Sequence, residues 1–307
     1  FWTIVITFVI SAASLLAVWL IGERGRLILP STRRTFAEFG IRSVLLPNTW
    51  HFYVYGCWPM QYIGFLIRRF FAILNRLGTR AERWFADRYH GKILTHEHAK
   101  SIITVDRQIP LRDLDRVVPY RKARRMLLDS PLEMAVFECP CRNARERPCL
   151  PTQVCMIIGQ PFVDLVLEHH PTKSRRMCRQ EALDLLEAEH QRGHVHVAWF
   201  KECCLDRFFA ICNCCKCCCG GIDAMVNHGI PMLASSGYVA EVAQEVCLGC
   251  GSCEAVCAFD AVKVDEVARV EPSRCMGCGL CVDHCPQRGI TLQSAPDRGI
   301  PLDLSNA

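Results

Sequence analysis

The sequence predicts an α+β protein in three parts: an N-terminal apolar helix, a cysteine-rich α/β middle domain and a smaller C-terminal domain. Three observations lead to this prediction. Residues 1–21 contain no charged side chain, 22 of the 307 residues are cysteine, and one cysteine spacing occurs twice near the C-terminus. A chain of this length can form about two domains with a substantial hydrophobic core.

Residues 1–21 are predicted to form a transmembrane helix. Their only polar side chains are Thr and Ser, whose hydroxyls can bond back to helix carbonyls. At about 1.5 Å per residue the segment spans about 31 Å, which matches a bilayer core. A signal peptide is the alternative, but residues 22–26 do not resemble a small-residue cleavage site. The chain begins at Phe1 and not at Met, which is consistent with further residues upstream.

Charge is distributed unevenly along the chain. Residues 22–126 contain 20 Lys and Arg against 8 Asp and Glu, whereas residues 240–307 contain 5 against 10. The basic residues that follow the apolar segment include Arg24, Arg26, Arg33 and Arg34. By the positive-inside rule they predict a single-pass protein of the cytoplasmic membrane, with the remaining domains on the cytoplasmic side. No nucleic-acid-binding motif accompanies them, so nucleic acid is not an expected partner.

A second apolar stretch, residues 50–74, is rich in aromatic side chains and is interrupted by Pro59, Arg68 and Arg69. Aromatic residues of this kind favour the headgroup level of a bilayer, so we expect an interfacial segment that contacts membrane lipid. A docking face for an integral membrane subunit is the alternative. Residues 22–114 are therefore assigned to a basic interfacial or linker region.

The spacing C-x2-C-x2-C-x3-C occurs twice, first from Cys247 to Cys257 and again from Cys275 to Cys285. Zinc sites use pairs of cysteines and four ligands in total, so two runs of four do not fit zinc. Runs of this kind are typical of iron–sulfur clusters, with the fourth cysteine of each run ligating the other cluster. Glycines at 249, 251, 277 and 279 let the backbone approach a cluster closely.

On these two runs, residues 238–294 resemble the bacterial ferredoxins that hold two 4Fe–4S clusters. The resemblance implies a ferredoxin-like dicluster domain with strands at residues 238–242, 261–264, 267–270 and 289–292. It assigns one cluster to Cys247, Cys250, Cys253 and Cys285, and the other to Cys275, Cys278, Cys281 and Cys257. Ala258 departs from the family, which has proline there. Proline is not a ligand, so we expect the cluster to survive.

Thirteen more cysteines lie between residues 139 and 219. Ten of them are taken as metal ligands: Cys139, Cys141, Cys149, Cys155, Cys212, Cys214, Cys215, Cys217, Cys218 and Cys219. Six thiols within residues 212–219 would be easily oxidised unless they bound metal. Disulfides are disfavoured because adjacent cysteines such as Cys214 and Cys215 are poorly placed to pair. Ten thiolates can serve one or two additional iron–sulfur clusters, and a non-cubane or double cluster remains open.

The alternative is that some of these cysteines are buried apolar residues or structural zinc ligands. The cysteines least expected to bind metal, called bystanders below, are Cys57, Cys178, Cys203 and Cys204. The middle region resembles, over residues 115–295, a family of membrane-anchored, cysteine-rich 4Fe–4S proteins of anaerobic bacteria. Cys139-Pro140-Cys141-Arg142, residues 155–159 and Asn213-Cys214-Cys215 carry this resemblance. It implies an iron–sulfur protein and indicates no substrate.

The scaffold of the middle domain is predicted from periodicity. Residues 118–129 and 179–191 are predicted as helices, and residues 133–137 and 195–200 as strands. Because both cysteine groups follow predicted strands, we expect them to meet at one end of a sheet. Histidines such as His90, His96 and His98 are expected to be solvated or hydrogen-bonded, although haem ligation or quinone protonation is conceivable.

The domains are therefore placed at residues 1–21, 22–114, 115–235 and 236–307. The predicted function is electron transfer by a non-catalytic subunit of an oxidoreductase complex. Its partners would be a soluble electron donor or acceptor and a membrane subunit or the quinone pool. The alternative is an iron–sulfur oxidoreductase with a substrate-binding cluster in the middle domain. A cluster-assembly or redox-sensing protein is a third, weaker hypothesis.

Overall fold

A computed structural model describes residues 2–39, 47–104, 132–204 and 207–304. These residues form a mixed α/β structure: helices and one large sheet occupy most of the chain, and two small sheets follow near the C-terminus. The predicted helix at residues 118–129 lies outside the described residues.

The apolar N-terminal segment forms one helix, α1 (Trp2–Gly22), which is followed by α2 (Pro30–Phe39). The prediction that residues 1–21 span a membrane is wrong, because no described helix is both long and apolar enough for that. The predicted single-pass location in the cytoplasmic membrane is wrong on the same ground. The end of α1 contacts the rest of the protein instead. Trp19 stacks on Tyr53 with ring centroids 4.9 Å apart, and His169 donates through Nδ1 to the Gly22 carbonyl at 2.9 Å.

Four helices and one π-helical turn follow: α3 (Pro47–Cys57), α4 (Pro59–Phe65), the turn Leu66–Phe70, α5 (Phe71–Leu77) and α6 (Thr79–Ala86). Pro59 suits the first turn of α4, where its missing N–H costs no helical hydrogen bond. Residues 50–74, predicted as interfacial, turn much of their apolar surface into the core. Phe52, Leu66 and Phe71, for example, are each less than 5% exposed.

The central sheet has seven strands in the order β4-β2-β3-β6-β5-β1-β7. Their bounds are β1 (Tyr89–Leu94), β2 (Met134–Glu138), β3 (Gln153–Ile158), β4 (Ser174–Arg176), β5 (Val195–Lys201), β6 (Arg207–Cys214) and β7 (Leu233–Ala234). Neighbouring strands are antiparallel except for β1 and β7, which are parallel. Every residue of β5 is buried, because helices cover both faces of the sheet.

Among the described residues, the helices that connect these strands are α7 (His96–Thr104), α8 (Pro140–Asn143), α9 (Phe162–His169), α10 (Arg179–Gln191) and α11 (Gly220–Val226). Helices α7 and α10 pack on one face of the sheet around Ile102, Leu186 and Phe200. Helices α3 to α5 pack on the other face around Trp199 and Phe209. The predicted helix at 179–191 and the strands at 133–137 and 195–200 therefore form within one residue of their expected bounds.

The C-terminal domain consists of two copies of one structural unit. Strand β8 (Tyr238–Val242) pairs with β11 (Ile290–Ser294), and β9 (Val262–Val264) pairs with β10 (Ala268–Val270). Short helices α12 (Ser252–Val256) and α13 (Leu280–Asp283) lie between the strands. All four strands form where the resemblance placed them, so the two cysteine runs occupy equivalent positions in the two halves.

Candidate functional site

The two C-terminal cysteine runs begin with tight loops that only glycine can form. Gly249 and Gly277 have φ values of +62° and +64°. A Cβ at Gly249 would clash with the Glu266 carbonyl oxygen, and one at Gly277 would clash with the Tyr238 carbonyl oxygen. Any side chain here would displace backbone, so the loops depend on glycine at both positions.

These loops place the eight predicted ligands around two separate cavities. The first cavity, with an empty volume of about 360 Å³, is lined by Cys247, Cys250, Cys253 and Cys285. The second, of about 350 Å³, is lined by Cys257, Cys275, Cys278 and Cys281. Each cavity thus takes three cysteines from one run and the fourth from the other. This is the grouping that the ferredoxin resemblance implies.

Backbone N–H groups point at the sulfurs of both cavities. Ala268 donates to Cys247 Sγ and Ala261 to Cys257 Sγ, each at 3.3 Å. In the equivalent positions Ala240 donates to Cys275 Sγ and Gly289 to Cys285 Sγ, each at 3.4 Å. Donors of this kind stabilise thiolate charge and tune the potential of a cluster. The residues present therefore fit two iron–sulfur clusters.

Burial raises the pKa of Cys278 to about 12, and it also raises the pKa of Cys281. Both thiols therefore hold their protons at neutral pH in the metal-free chain. Because only a thiolate ligates metal, cluster binding must displace these protons.

A third and much larger cavity, with an empty volume of about 1140 Å³, lies in the middle domain. Eight cysteines line it: Cys139, Cys141, Cys155, Cys204, Cys212, Cys214, Cys215 and Cys219. Neighbouring strands bring them together, since Cys139 follows β2 and Cys155 faces Cys212 across β3 and β6. The sulfurs of Cys155 and Cys212 are 3.5 Å apart. The two cysteine groups thus meet at one end of the sheet, as expected.

The wall of this cavity is mainly apolar and aromatic, with Phe52, Phe71, Phe162 and Trp199 among its lining residues. Hydrogen bonding from Cys141 and burial raise the pKa of Cys139 to about 12, against the opposing effect of Cys155. A metal-free cavity would therefore hold neutral thiols, which suits its apolar wall. Thiolates would form there only together with a bound cation.

Arg142 is a charged residue of the cavity wall, and its side chain is 1% exposed. It donates through Nη2 to Glu189 Oε2 at 2.8 Å and to the Asn213 carbonyl at 3.3 Å. Glu189 is fully buried and also accepts from Arg192 and His194. Glu189 was not predicted from the sequence, because it lies 47 residues from Arg142 on a different element. The pair holds the guanidinium of Arg142 in place beside the cysteines.

Cys215, which lines the cavity, also belongs to a compact group with three further predicted ligands: Cys149, Cys217 and Cys218. Their sulfurs all lie within 4.8 Å of one another, and Cys149 Sγ is 3.0 Å from Cys217 Sγ. A tetrahedral ion bound at about 2.3 Å by four thiolates holds its sulfurs about 3.8 Å apart. Around a cube of four irons the thiolates spread more widely. The compact group therefore fits a single ion better than a cluster.

The cysteines expected to be bystanders occupy varied positions. Cys57 is buried with its sulfur 3.5 Å from His169 Nδ1, and Cys178 is exposed at the start of α10. Cys203 and Cys204 are both buried. Cys204 also lines the large cavity, a position that spacing along the chain did not indicate.

Comparison with known proteins bears on the C-terminal domain. Residues 240–292 match a family model described as a 4Fe-4S dicluster domain. No curated protein and no solved structure is similar enough to the chain to count as a match. The match covers β9, β10, parts of β8 and β11, and all eight cysteines of the two runs. The chain therefore contains a 4Fe–4S dicluster domain, which supports an iron–sulfur protein of the electron-transfer class.

Proposed function

We propose that this chain relays electrons through iron–sulfur clusters in both its C-terminal and its middle domain. The observation that carries the proposal is that two four-cysteine cavities and an eight-cysteine cavity lie within one continuous core. Cys214, Cys219, Cys275 and Cys281 belong to the same packed cluster of buried residues. In this arrangement electrons pass between centres through protein, without crossing solvent.

The C-terminal domain would hold two 4Fe–4S clusters. One is ligated by Cys247, Cys250, Cys253 and Cys285, and the other by Cys257, Cys275, Cys278 and Cys281. The glycine loops and the four N–H donors to sulfur support this assignment.

The middle domain would hold one further iron–sulfur cluster in the large cavity. Six predicted ligands remain there once the compact group is set aside: Cys139, Cys141, Cys155, Cys212, Cys214 and Cys219. The compact group would hold one ion on four thiolates, iron or zinc. The cavity is larger than either C-terminal cavity and has more cysteines in its wall, so a cluster larger than one cubane is part of the proposal.

The proposed partner is a soluble redox protein with a basic docking face. Residues 240–307 carry 10 Asp and Glu against 5 Lys and Arg, so this end of the chain attracts positive surfaces. To test this, the dithionite-reduced protein is mixed with cytochrome c, a basic electron acceptor, and reoxidation is followed at rising salt. The account predicts fast reoxidation that slows steeply with salt, because screening weakens docking. Salt-independent reoxidation would contradict this docking face.

A second candidate function, an iron–sulfur oxidoreductase, is favoured by the size and apolar wall of the middle cavity. A small apolar substrate would fit beside a cluster in such a space. The distinguishing measurement is EPR of the reduced protein with and without candidate substrates. A change confined to the middle-domain signal favours the enzyme, whereas unchanged signals together with electron exchange favour the relay.

A further inference from the structure

Three histidines from three different elements, one of them α10, lie close together. His96 begins α7, His190 lies near the end of α10, and His196 lies on β5. One ring nitrogen of each lies within 4.8 Å of the others, and His96 Nδ1 is 3.1 Å from His196 Nε2. The rings of His96 and His190 stack with centroids 4.3 Å apart.

One nitrogen of each ring faces an oxygen that accepts hydrogen bonds. His96 Nε2 lies 3.0 Å from Glu187 Oε2, and His190 Nε2 lies 2.8 Å from Asp283 Oδ2. The remaining outward nitrogen, His196 Nδ1, lies 2.7 Å from Asn213 Oδ1. The Asn213 amide is oriented by its own donation through Nδ2 to the Val154 carbonyl at 2.9 Å. All three outward nitrogens must therefore be the protonated donors.

This tautomer pattern leaves lone pairs on the inward nitrogens. His96 Nδ1 and His196 Nε2 are then two acceptors at 3.1 Å with no proton between them, which is repulsive. A cation between them removes the repulsion. Nitrogens bound to one tetrahedral ion at about 2.0–2.1 Å lie about 3.3 Å apart, close to the observed separation.

We propose that His96, His190 and His196 bind one divalent transition-metal ion. Imidazole ligands suit zinc, iron, copper and nickel, and a carboxylate or carbonyl oxygen behind each ligating histidine is the usual outer partner in such sites. Three protein ligands leave a fourth position for water or another small ligand. The side chain of His96 is 11% exposed, which leaves a path to solvent.

An ion bound by these histidines would lie between two regions of the protein. Asp283 lies between Cys281 and Cys285 of the C-terminal domain, and Asn213 lies between Cys212 and Cys214 of the middle cavity. The outer partners of the histidines thus come from both thiol-bearing regions. A bound ion would fix these two regions against each other. The site stands on the histidines alone and does not depend on how many clusters the cysteines hold.

The test adds Zn²⁺ to the full-length protein, purified anaerobically with its clusters, and measures bound zinc per chain. X-ray absorption at the zinc edge then distinguishes nitrogen from sulfur ligands. We expect one zinc with about three nitrogen ligands at about 2.0 Å. His196→Gln should abolish this nitrogen-bound zinc. His228→Gln, which changes a histidine packed on Phe71 outside the cluster, should leave it unchanged.

Asp283→Asn keeps all three histidine ligands and changes only the hydrogen-bond partner of His190. It therefore tests the site even if His196→Gln fails to fold. It should weaken zinc binding about 10- to 100-fold while the ferredoxin EPR signals persist. Zinc that is bound only by sulfur, or nitrogen-bound zinc that His196→Gln retains, would overturn the proposal. Absence of bound zinc would also overturn the proposal. An imidazolium proton seen by NMR would then show that a proton, and not a metal ion, bridges the rings.

Discussion

The C-terminal domain and the middle domain both surround cavities with cysteine, but they do so differently. Each C-terminal cavity has four cysteines, about 350 Å³ of space and backbone N–H groups aimed at sulfur. The middle cavity has eight cysteines, about 1140 Å³ of space and a largely apolar wall. The first arrangement is fixed by loops close in sequence, whereas the second is assembled from distant strands.

This difference shows two ways in which a protein can support a group of buried cysteines. In the C-terminal domain the peptide backbone supplies donors around each cavity, so side chains contribute little polarity. In the middle domain the cysteines lie on strands, and the guanidinium of Arg142, paired with the buried Glu189, lies beside them. The middle site should therefore depend on particular side chains far more than the C-terminal sites do.

The largest expected effect comes from removing two thiols of the middle cavity. Cys139→Ala together with Cys214→Ala should remove about four irons per chain and leave the two ferredoxin EPR signals intact. The matched control, Cys178→Ala, changes an exposed cysteine away from the cavity and should keep the full iron content. Iron content is measured on anaerobically purified protein. An unchanged content in the double variant would show that these cysteines ligate nothing.

A large loss of stability is expected when the buried ion pair is broken. Glu189→Leu leaves Arg142 charged and buried, which should lower the free energy of unfolding by about 3–5 kcal/mol. The control, Lys263→Gln, breaks an exposed pair with Glu254 in the C-terminal domain and should cost about 0–1 kcal/mol. Urea unfolding followed by circular dichroism measures both. Equal losses of unfolding free energy in the two variants would contradict the claim that the middle domain depends more on particular side chains.

Acid sensitivity should come from buried histidines such as His90, which lies on β1 of the central sheet. Burial lowers the pKa of His90 from 6.5 to about 4, so the unfolded chain binds this proton more readily than the folded chain. Stability is then complete above pH 6.5 and declines as the pH falls towards 4, by up to about 3 kcal/mol for this group. His90→Gln should flatten that decline in urea unfolding curves taken at several pH values. A variant with the wild-type slope would exclude His90 as a source.

The smallest effect is expected at Ala258, which occupies the position equivalent to Pro286 in the other half of the repeat. Ala258→Pro changes no ligand, so both ferredoxin clusters should remain with nearly unchanged EPR spectra. Pro286→Ala is the reciprocal control. Loss of one cluster in either variant would mean that this position supports the loop more strongly than its chemistry suggests.

The C-terminal domain was predicted from two cysteine runs and from the ferredoxin resemblance that they carry. The resemblance implied the strands and the crossed cysteine groups, and each run lies within 11 residues, with a geometry set by glycine and short loops. The middle domain was predicted only in outline. Helix α10 and strands β2 and β5 follow from periodicity. The strand order that unites Cys155 with Cys212 depends on contacts across 57 residues, which no local pattern encodes.

Two further features could not be predicted from the sequence for the same reason. His96, His190 and His196 lie on three elements, and no spacing links them. The compact group joins Cys149 to a loop 68 residues later, so the pattern indicated metal without indicating which thiols share it. The transmembrane prediction is wrong because no described helix is long and apolar enough to cross a membrane. The end of α1 contacts the rest of the protein through Trp19 and Gly22.

The central claim is that the middle cavity holds an iron–sulfur cluster in addition to the two in the C-terminal domain. The most direct test is iron and acid-labile sulfide per chain in anaerobically purified protein, with EPR of the reduced protein during a redox titration. The account predicts about twelve to sixteen irons and a third signal distinct from the two ferredoxin clusters. About eight irons, all in two interacting 4Fe–4S signals, would contradict it and leave the middle cysteines without a cluster.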